Sequence, residues 1–268
     1  MSRPKGSRGA YAEAGQLFWR KKMAWELKGR TALVTGAGKR IGKEIALALA
    51  QEGVNVIAHY SSSVKEAEEL RSSVASMGVK SWLVKADFDK FEYEGLIEKV
   101  ASETGGVDIL VNNASVFPSS GLDDMTLDGL VSNIRINAWA PFVLARDLRA
   151  VMKKGRVVNL IDSRTKGFDW NHVEYILSKH LLAELTRMMA VEYAPDIVVN
   201  GVNPGLILPP PGKEMEYLDK MDGTVPRKRH GGPVDIAEAV LYLLKSEFNI
   251  GEVINVDGGR HLMEYGRG

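Results

Sequence analysis

Residues 35–42 read Thr-Gly-Ala-Gly-Lys-Arg-Ile-Gly; they follow the apolar run 31–35 and open a helical pattern over 39–52. Glycines at a strand-to-helix turn let the backbone approach a pyrophosphate, which then lies at the positive end of the helix. The third glycine comes one residue later than Gly-x-Gly-x-x-Gly requires, so a turn used only for packing stays open as the alternative. The turn predicts a dinucleotide site that includes Gly36, Lys39, Arg40, Ile41 and Gly42.

Strand-like and helix-like segments alternate along the rest of the chain. Short apolar runs lie at 31–35, 54–58, 79–84, 107–111, 156–161, 197–202 and 252–256. Helical patterns lie at 39–52, 63–77, 89–103, 123–135, 138–153, 172–193 and 233–245. This alternation predicts an α/β fold: one parallel sheet of seven strands with helices on both faces, in a single domain over 27–268. The irregular segment 206–226 is long enough to predict a lid or specificity loop, with a plain surface loop as the alternative.

Composition excludes several classes of protein. Of the 268 residues 45% are hydrophobic and 26% charged, and no apolar run is long enough for a bilayer, so we expect a soluble, cytoplasmic protein without a membrane partner. The chain has no cysteine, which excludes disulfides, thiolate metal centres and a cysteine nucleophile. The five histidines show no ligand spacing, so no metal is expected.

The basic excess of the chain is confined to its start. Residues 1–22 hold six lysines and arginines against one glutamate, and the chain as a whole carries +1. We expect residues 1–26 to form a flexible basic extension; a presequence, a nucleic-acid arm or a true start at Met23 are the alternatives. Because the rest of the chain is not basic, no nucleic-acid partner is expected.

The end of the second predicted strand indicates which dinucleotide binds. An NAD enzyme places Asp or Glu there, against the ribose hydroxyl. This chain instead has His59, Tyr60, Ser61 and Ser62, and the next acidic residue is Glu66. Hydroxyls at this point, with Lys39 and Arg40 in the first turn, suit a 2′-phosphate, so the cofactor is predicted to be NADPH/NADP.

Tyr175 and Lys179 are four residues apart in the helical pattern 172–193, so they share one helix face. An adjacent ammonium favours the phenolate, so we expect a lowered pKa for Tyr175, which would suit it as a general acid. Pairs at this spacing are common by chance, and a surface pair is the alternative.

Taken together, the motifs resemble those of the short-chain dehydrogenase/reductase family over about residues 27–262. The glycine turn, Asn112-Asn113-Ala114, Asn137, Tyr175-x-x-x-Lys179, Asn203-Pro204-Gly205 and Val256-Asp257-Gly258-Gly259 occur in the family's order. The resemblance implies a doubly wound Rossmann fold assembled as a homotetramer. It also implies that Tyr175 protonates the reduced centre, that Lys179 holds the nicotinamide ribose, and that Asn137 positions a proton-relaying water. The further cofactor contacts that it implies are Asp87, Phe88, Asn113, Ala114, Ser115, Pro204, Gly205 and Leu206.

Two departures from the family pattern point to one branch of it. Arg40 replaces the middle glycine, and Asp162 stands where the catalytic serine is expected. Both changes resemble pteridine reductases, as does Phe117, on which a pterin ring would stack. The substrate contacts implied are Arg40, Ser115, Phe117, Asp162 and Tyr175.

The sequence therefore predicts an NADPH-dependent reductase of a small molecule, a pterin-like heterocycle with a ring C=N bond. Three alternatives stay open. A one-residue shift would let Ser163 restore a serine site for a carbonyl substrate, as in a 3-oxoacyl reductase; independently of that shift, an ordinary core or loop aromatic is the alternative for Phe117. Ser62 stands where pteridine reductases often carry arginine, which weakens the case for NADP. A cofactor-binding regulator without turnover is the alternative outside enzymes.

Overall fold

The computed structural model describes residues 25–210 and 212–263. The strands are β1 Thr31–Val34, β2 Asn55–Tyr60, β3 Ser81–Lys85, β4 Ile109–Asn112, β5 Gly155–Leu160, β6 Ile197–Pro204 and β7 Val253–Val256. They form one parallel sheet in the order β3-β2-β1-β4-β5-β6-β7. The predicted seven-stranded parallel fold is confirmed.

The helices lie on both faces of this sheet. They are α1 Arg40–Gln51, α2 Val64–Ser76, α3 Leu96–Thr104, α4 Leu127–Ile134, α5 Ala140–Met152, α6 Val173–Tyr193, α7 Glu216–Met221 and α8 Pro233–Lys245. One core cluster joins α1, α2 and α8 to one face, and a second joins α3, α5 and α6 to the other. Neighbouring strand residues divide between them: Ala32 and Val34 lie in the first cluster and Leu33 in the second. This division explains why strands buried on both faces have near-continuous apolar sequences.

The strand order places the site. The chain moves outward from β1 to β3 on one side and from β4 to β7 on the other, so the order reverses between β1 and β4. Ligands of open α/β sheets bind in the crevice at the carboxyl ends of the strands, at such a reversal. The segments after β1, β2, β4 and β5 meet there.

Three details differ from the sequence prediction. Residues 135–139 form a π-helical turn that joins α4 to α5, where the sequence predicted a break between two helices. The segment 206–226 is not wholly irregular, because it contains α7. Trp25, assigned to the extension, packs against the core. The rest of the predicted extension, residues 1–24, lies outside the described residues.

Within the described parts of the chain, the structure contains no helix that is both long and apolar enough to cross a membrane.

Candidate active site

The glycine turn after β1 is held in place by polar side chains from neighbouring strands. Asn113 Nδ2 donates to the carbonyl oxygens of Thr35 at 2.9 Å and Gly36 at 3.1 Å. The Gly36 amide donates to His59 Nδ1 at 3.0 Å. A Cβ at Gly42 would lie 2.4 Å from the Gly36 oxygen, so α1 meets the turn backbone to backbone. Gly42 thus lets α1 pack closely on the turn, and Asn113 holds the turn through hydrogen bonds to the Thr35 and Gly36 carbonyl oxygens.

His59 supports the glycine turn through its hydrogen bond to Gly36, and it is not a charged ligand for a phosphate. Its ring is 2% exposed and stacks on Phe88 with the centroids 4.4 Å apart. Burial lowers its pKa to about 4, although a hydrogen bond to the Ala86 carbonyl opposes the shift. The ring is therefore neutral at physiological pH. Because Nδ1 accepts from Gly36, Nε2 carries the proton and donates to the Ala86 oxygen at 3.0 Å.

A cleft of about 210 Å³ opens beside this turn. Ten residues predicted to contact the cofactor line it: Gly36, Lys39, His59, Tyr60, Ser61, Ser62, Asp87, Phe88, Ala114 and Ser115. Six others also line it without having been predicted: Gly38, Ser63, Ala86, Asp89, Val116 and Ile136. The hydroxyls of 61–63 and the ammonium of Lys39, which pairs with Glu66 at 2.8 Å, lie at the β2 end. This set of donors fits an adenosine carrying a 2′-phosphate.

Several other residues predicted to contact the cofactor lie outside this cleft. Arg40, at φ 56°, donates through Nη2 to the Pro209 oxygen at 2.7 Å, so its side chain joins the turn to the 206–226 segment. Leu206 lines a separate cavity near the end of β7, and the Gly205 amide donates to Val256. Ile41, Gly42, Asn113 and Pro204 do not line the cleft described above.

The candidate catalytic pair lies over the end of β5. Tyr175 donates its phenol hydrogen to Asp162 Oδ2 at 2.8 Å, and both residues are buried. Ser163, the alternative from a one-residue shift, is 1% exposed, and its Oγ has no hydrogen-bond partner within the described structure. The position facing Tyr175 is therefore occupied by the aspartate.

The electrostatics of this pair differ from the sequence expectation. Burial, followed by the charge of Asp162, raises the pKa of Tyr175 well above 10, so the expected lowering by Lys179 is wrong. Burial also favours the neutral form of Asp162, but hydrogen bonds and charge from Arg164 outweigh it and lower that pKa. The resting pair is thus an ionised carboxylate and a neutral phenol.

Lys179 faces the sheet more than the phenol. Its Nζ donates to the Leu160 oxygen at 2.8 Å and lies 5.8 Å from the centroid of the Tyr175 ring. Burial lowers its pKa from 10.5 to about 8, while Asp162 partly opposes the shift. It is 3% exposed, and stays protonated at neutral pH.

Asn137 lies in the π-helical turn, and its amide is fully occupied. Oδ1 accepts from the Val116 amide at 2.9 Å and from Ser115 Oγ at 3.0 Å. Nδ2 donates to the Val116 oxygen at 3.1 Å and to Ser178 Oγ at 3.0 Å. These contacts use both donors and both accepting sites of the side-chain amide, which fixes the segment after β4 to α6. The role of Asn137 in positioning a water stays a prediction.

Phe117 is near the pair but is partly covered. The His172 ring stacks on it at a centroid distance of 3.9 Å, and Tyr175 meets it edge-on at 4.6 Å. The sequence predicted that a substrate ring stacks on Phe117. Because His172 already stacks on Phe117, a flat substrate that used that face would have to displace the imidazole ring.

Beside the catalytic pair, Arg164 is a further residue that the sequence did not predict. Its guanidinium carbon lies 5.0 Å from the Phe117 centroid and 5.6 Å from that of Tyr175. The sequence held one indication of this role: Arg164 follows Asp162 by two residues. A short 3₁₀ turn at this point brings the Arg164 side chain back onto Asp162.

Comparisons with known proteins agree with this geometry. The sequence model of the Enoyl-(Acyl carrier protein) reductase family matches residues 36–261. The 3-oxoacyl-[acyl-carrier-protein] reductase FabG of Staphylococcus epidermidis is 31% identical over 252 residues, 87% of this chain and 99% of that protein.

Among solved structures, FolM alternative dihydrofolate reductase 1 from Brucella canis, complexed with NADP, superposes with a TM-score of 0.84 at 30% identity. The match covers 88% of this chain and 96% of that one. Acetoin dehydrogenase YohF from Salmonella typhimurium gives 0.80 at 28% identity, covering 87% and 96%.

Proposed function

This chain belongs to the short-chain dehydrogenase/reductase family and is an NADP-dependent oxidoreductase, and we propose that it reduces a ring C=N bond of a pterin-like heterocycle. The observation that carries the proposal is the ionised Asp162 carboxylate in contact with the Tyr175 phenol.

The bound cofactor would supply a hydride to carbon. In the proposed reaction the Tyr175 hydroxyl turns from Asp162 to the neighbouring nitrogen and delivers its proton there, so that one C–H and one N–H bond replace the second bond of C=N, and the phenolate then regains a proton from water. The raised pKa of Tyr175 keeps the phenol protonated before the reaction but makes it a weaker acid, so its proton moves only to an acceptor as basic as a ring nitrogen. Lys179 and Lys39 supply positive charge at the two ends of the proposed cofactor site.

The charge on Asp162 separates the two candidate substrate classes. A ketone gains negative charge on oxygen as hydride arrives, and an ionised carboxylate beside it opposes that change. A C=N nitrogen is far more basic than a ketone oxygen, so it can take up its proton ahead of the hydride and become positive, and the same carboxylate stabilises that charge. Burial of the carboxylate strengthens both effects, because the local dielectric constant is low.

Ketone reduction stays the second candidate, because the FabG relative of Staphylococcus epidermidis is named as a 3-oxoacyl reductase and is 31% identical. The FolM structure from Brucella canis, at 30% identity, is named as a dihydrofolate reductase. The two sequence identities are too similar to decide between pterin and ketone reduction, so the choice of substrate class depends on Asp162.

The test combines substrates with one substitution. NADPH oxidation is measured with dihydrobiopterin, dihydrofolate and an acetoacetyl thioester. We expect the pterins to be consumed, and Asp162→Ser to lower their turnover by about 100-fold, a typical contribution from acid–base groups. Asp108→Ser is the matched control, since Asp108 also binds an arginine, Arg30, at 2.8 Å but lies at the amino end of β1, away from Tyr175. Consumption of the thioester alone, or full pterin turnover by Asp162→Ser, contradicts the proposal.

We also propose that the protein is a homotetramer. Helix α6 exposes Leu177, Leu181, Met188 and Val191, although a surface helix normally has a polar outer face. A second apolar surface contains Tyr242, Phe248 and Ile250, and Phe248 is 99% exposed. A tetramer with dihedral symmetry needs two different self-complementary surfaces, and these two are available. Analytical ultracentrifugation tests the assembly, and a monomer at micromolar concentration would contradict it.

A further inference from the structure

Arg164 holds the Asp162 carboxylate with three donors. Its backbone amide donates to Oδ1 at 2.8 Å, its Nε to Oδ1 at 3.0 Å and its Nη2 to Oδ2 at 2.8 Å. The two side-chain bonds form a fork that matches the plane of the carboxylate, the strongest arrangement for an arginine–carboxylate pair. The Arg164 side chain is only 19% exposed, so water screens the pair weakly.

The other edge of the guanidinium is held as well. Nη1 bonds Asp169 Oδ2, and Asp169 in turn contacts His172 Nδ1 at 3.1 Å. The guanidinium therefore lies between two carboxylates while also approaching the Phe117 and Tyr175 rings. Its position is fixed by contacts from the 3₁₀ turn, from the segment before α6 and from α6 itself.

This arrangement decides the direction of the Asp162–Tyr175 hydrogen bond. An ionised carboxylate can only accept, so the phenol must donate. If Asp162 were protonated, it could donate to the phenol oxygen instead, and the phenol hydrogen would be free to point elsewhere. Burial alone favours that neutral form, and Arg164 opposes it.

We propose that Arg164 is a positioning residue that keeps the Asp162 carboxylate ionised and fixed beside Tyr175, so that the site keeps the negative charge that stabilises a protonated C=N group. The inference rests on the proposed reduction at this site. The charged and titratable groups near Asp162 are Arg164 beside it, Tyr175 and Lys179 on α6, and Asp169 and His172 beyond the guanidinium.

The first test is the pH profile of turnover for wild type, Arg164→Gln and Arg164→Lys. Wild type should show no acidic limb from Asp162 near neutral pH. Arg164→Gln should show one, with turnover at pH 6 about tenfold below that at pH 8, because an acidic limb falls tenfold for each pH unit. Arg164→Lys keeps the charge but not the fork, so its limb should lie at lower pH than that of Arg164→Gln. An equal loss at every pH, or identical limbs in both variants, overturns the proposal.

The matched control is Arg30→Gln. Arg30 also bonds an aspartate, Asp108, at 2.8 Å and lies over an aromatic ring, that of Trp25, at 3.6 Å. This pair is at the amino end of β1, opposite the site. Arg30→Gln should lower stability without introducing an acidic limb.

The second test measures the protonation state of Asp162 directly. The carboxyl carbon of ¹³C-labelled aspartate is followed by NMR in the cofactor-free protein, with Asp162→Asn to assign the signal. We expect titration between about pH 5 and 8 in Arg164→Gln but not in wild type. Titration over the same range in both proteins overturns the role of Arg164. Because this test needs no substrate, it is independent of whether pterins or ketones prove to be the substrates.

Discussion

Over β1 and β2 the candidate site is built mainly from backbone, glycines and one neutral histidine, whereas over β5 it is built from charged side chains that bind one another. The Gly36 amide and carbonyl are held by His59 and Asn113 at 3.0 and 3.1 Å, and burial keeps His59 neutral. Over β5, Asp162 is buried, Arg164 is partly buried, and both are ionised. The first region therefore provides a rigid surface for a ligand, and the second provides charge that affects a reaction. Substitutions in the two regions should accordingly change different quantities.

The largest effect is expected for Tyr175→Phe. Loss of the proposed proton donor should reduce turnover by about 1,000-fold, within the range for general acid catalysis. NADPH affinity should stay nearly constant, because the phenol is bonded to Asp162. Steady-state kinetics and fluorescence titration of NADPH measure the two quantities. Tyr60→Phe makes the same chemical change in the other region and should spare turnover. Comparable turnover losses in the two variants would remove the distinction between the regions.

A smaller effect, on stability, is expected for Lys179→Met. Burial lowers the pKa of Lys179 from 10.5 to about 8, so the folded protein bears the cost of a buried ammonium below pH 8. The shift corresponds to about 3 kcal/mol, and loss of the bond to the Leu160 oxygen offsets about 1 kcal/mol of the gain. The variant should thus be about 2 kcal/mol more stable than wild type at pH 7.

The advantage of this variant should shrink as pH rises from 8 towards 10.5, because the unfolded wild-type chain binds the extra proton in that range. Urea unfolding at pH 7 and pH 10 measures it. Lys245→Met, which removes a half-exposed pair with Glu52, is the control and should give no such gain. A less stable Lys179→Met at pH 7 would mean that the ammonium is not costly where it lies.

The smallest effect is expected for Lys39→Ala. Loss of one half-exposed cation near the Ser61–Ser63 hydroxyls should weaken NADPH binding by about tenfold, typical of a hydrogen bond to a charged group. NADH binding and maximal turnover should not change. Lys65→Ala, on the exposed side of α2, is the matched control. Equal losses for NADPH and NADH would assign Lys39 to another part of the cofactor.

The sequence predicted the fold and the cofactor region because both depend on local features. Apolar periodicity places most strands and helices within a few residues, although α3 begins at Leu96 and not at residue 89, and the glycine turn is formed by contiguous residues. All four residues predicted at the end of β2 line the cleft. The π-helical turn at 135–139 was missed, because its apolar spacing looks like a short gap between helices.

The catalytic region was only partly predictable. The family pattern placed Asp162 at the position of the catalytic serine, but the pKa of Tyr175 depends on burial and on the charge of Asp162, which lies against the phenol. Arg164 folds back onto Asp162 through side-chain torsions that no periodicity records. The same limit applies to Arg40, whose partner Pro209 is 169 positions away in the chain.

The contact at Gly42 has a consequence for variation in this protein. Any side chain there would enter the space of the Gly36 oxygen at 2.4 Å and of Asn113 Nδ2 at 2.5 Å. The separation between the first turn of α1 and the end of β1 is therefore set by the thickness of two peptide planes. Substitutions in the surrounding core can change how firmly the contact between Gly42 and Gly36 is supported. The contact itself leaves no room for even one methyl group at position 42.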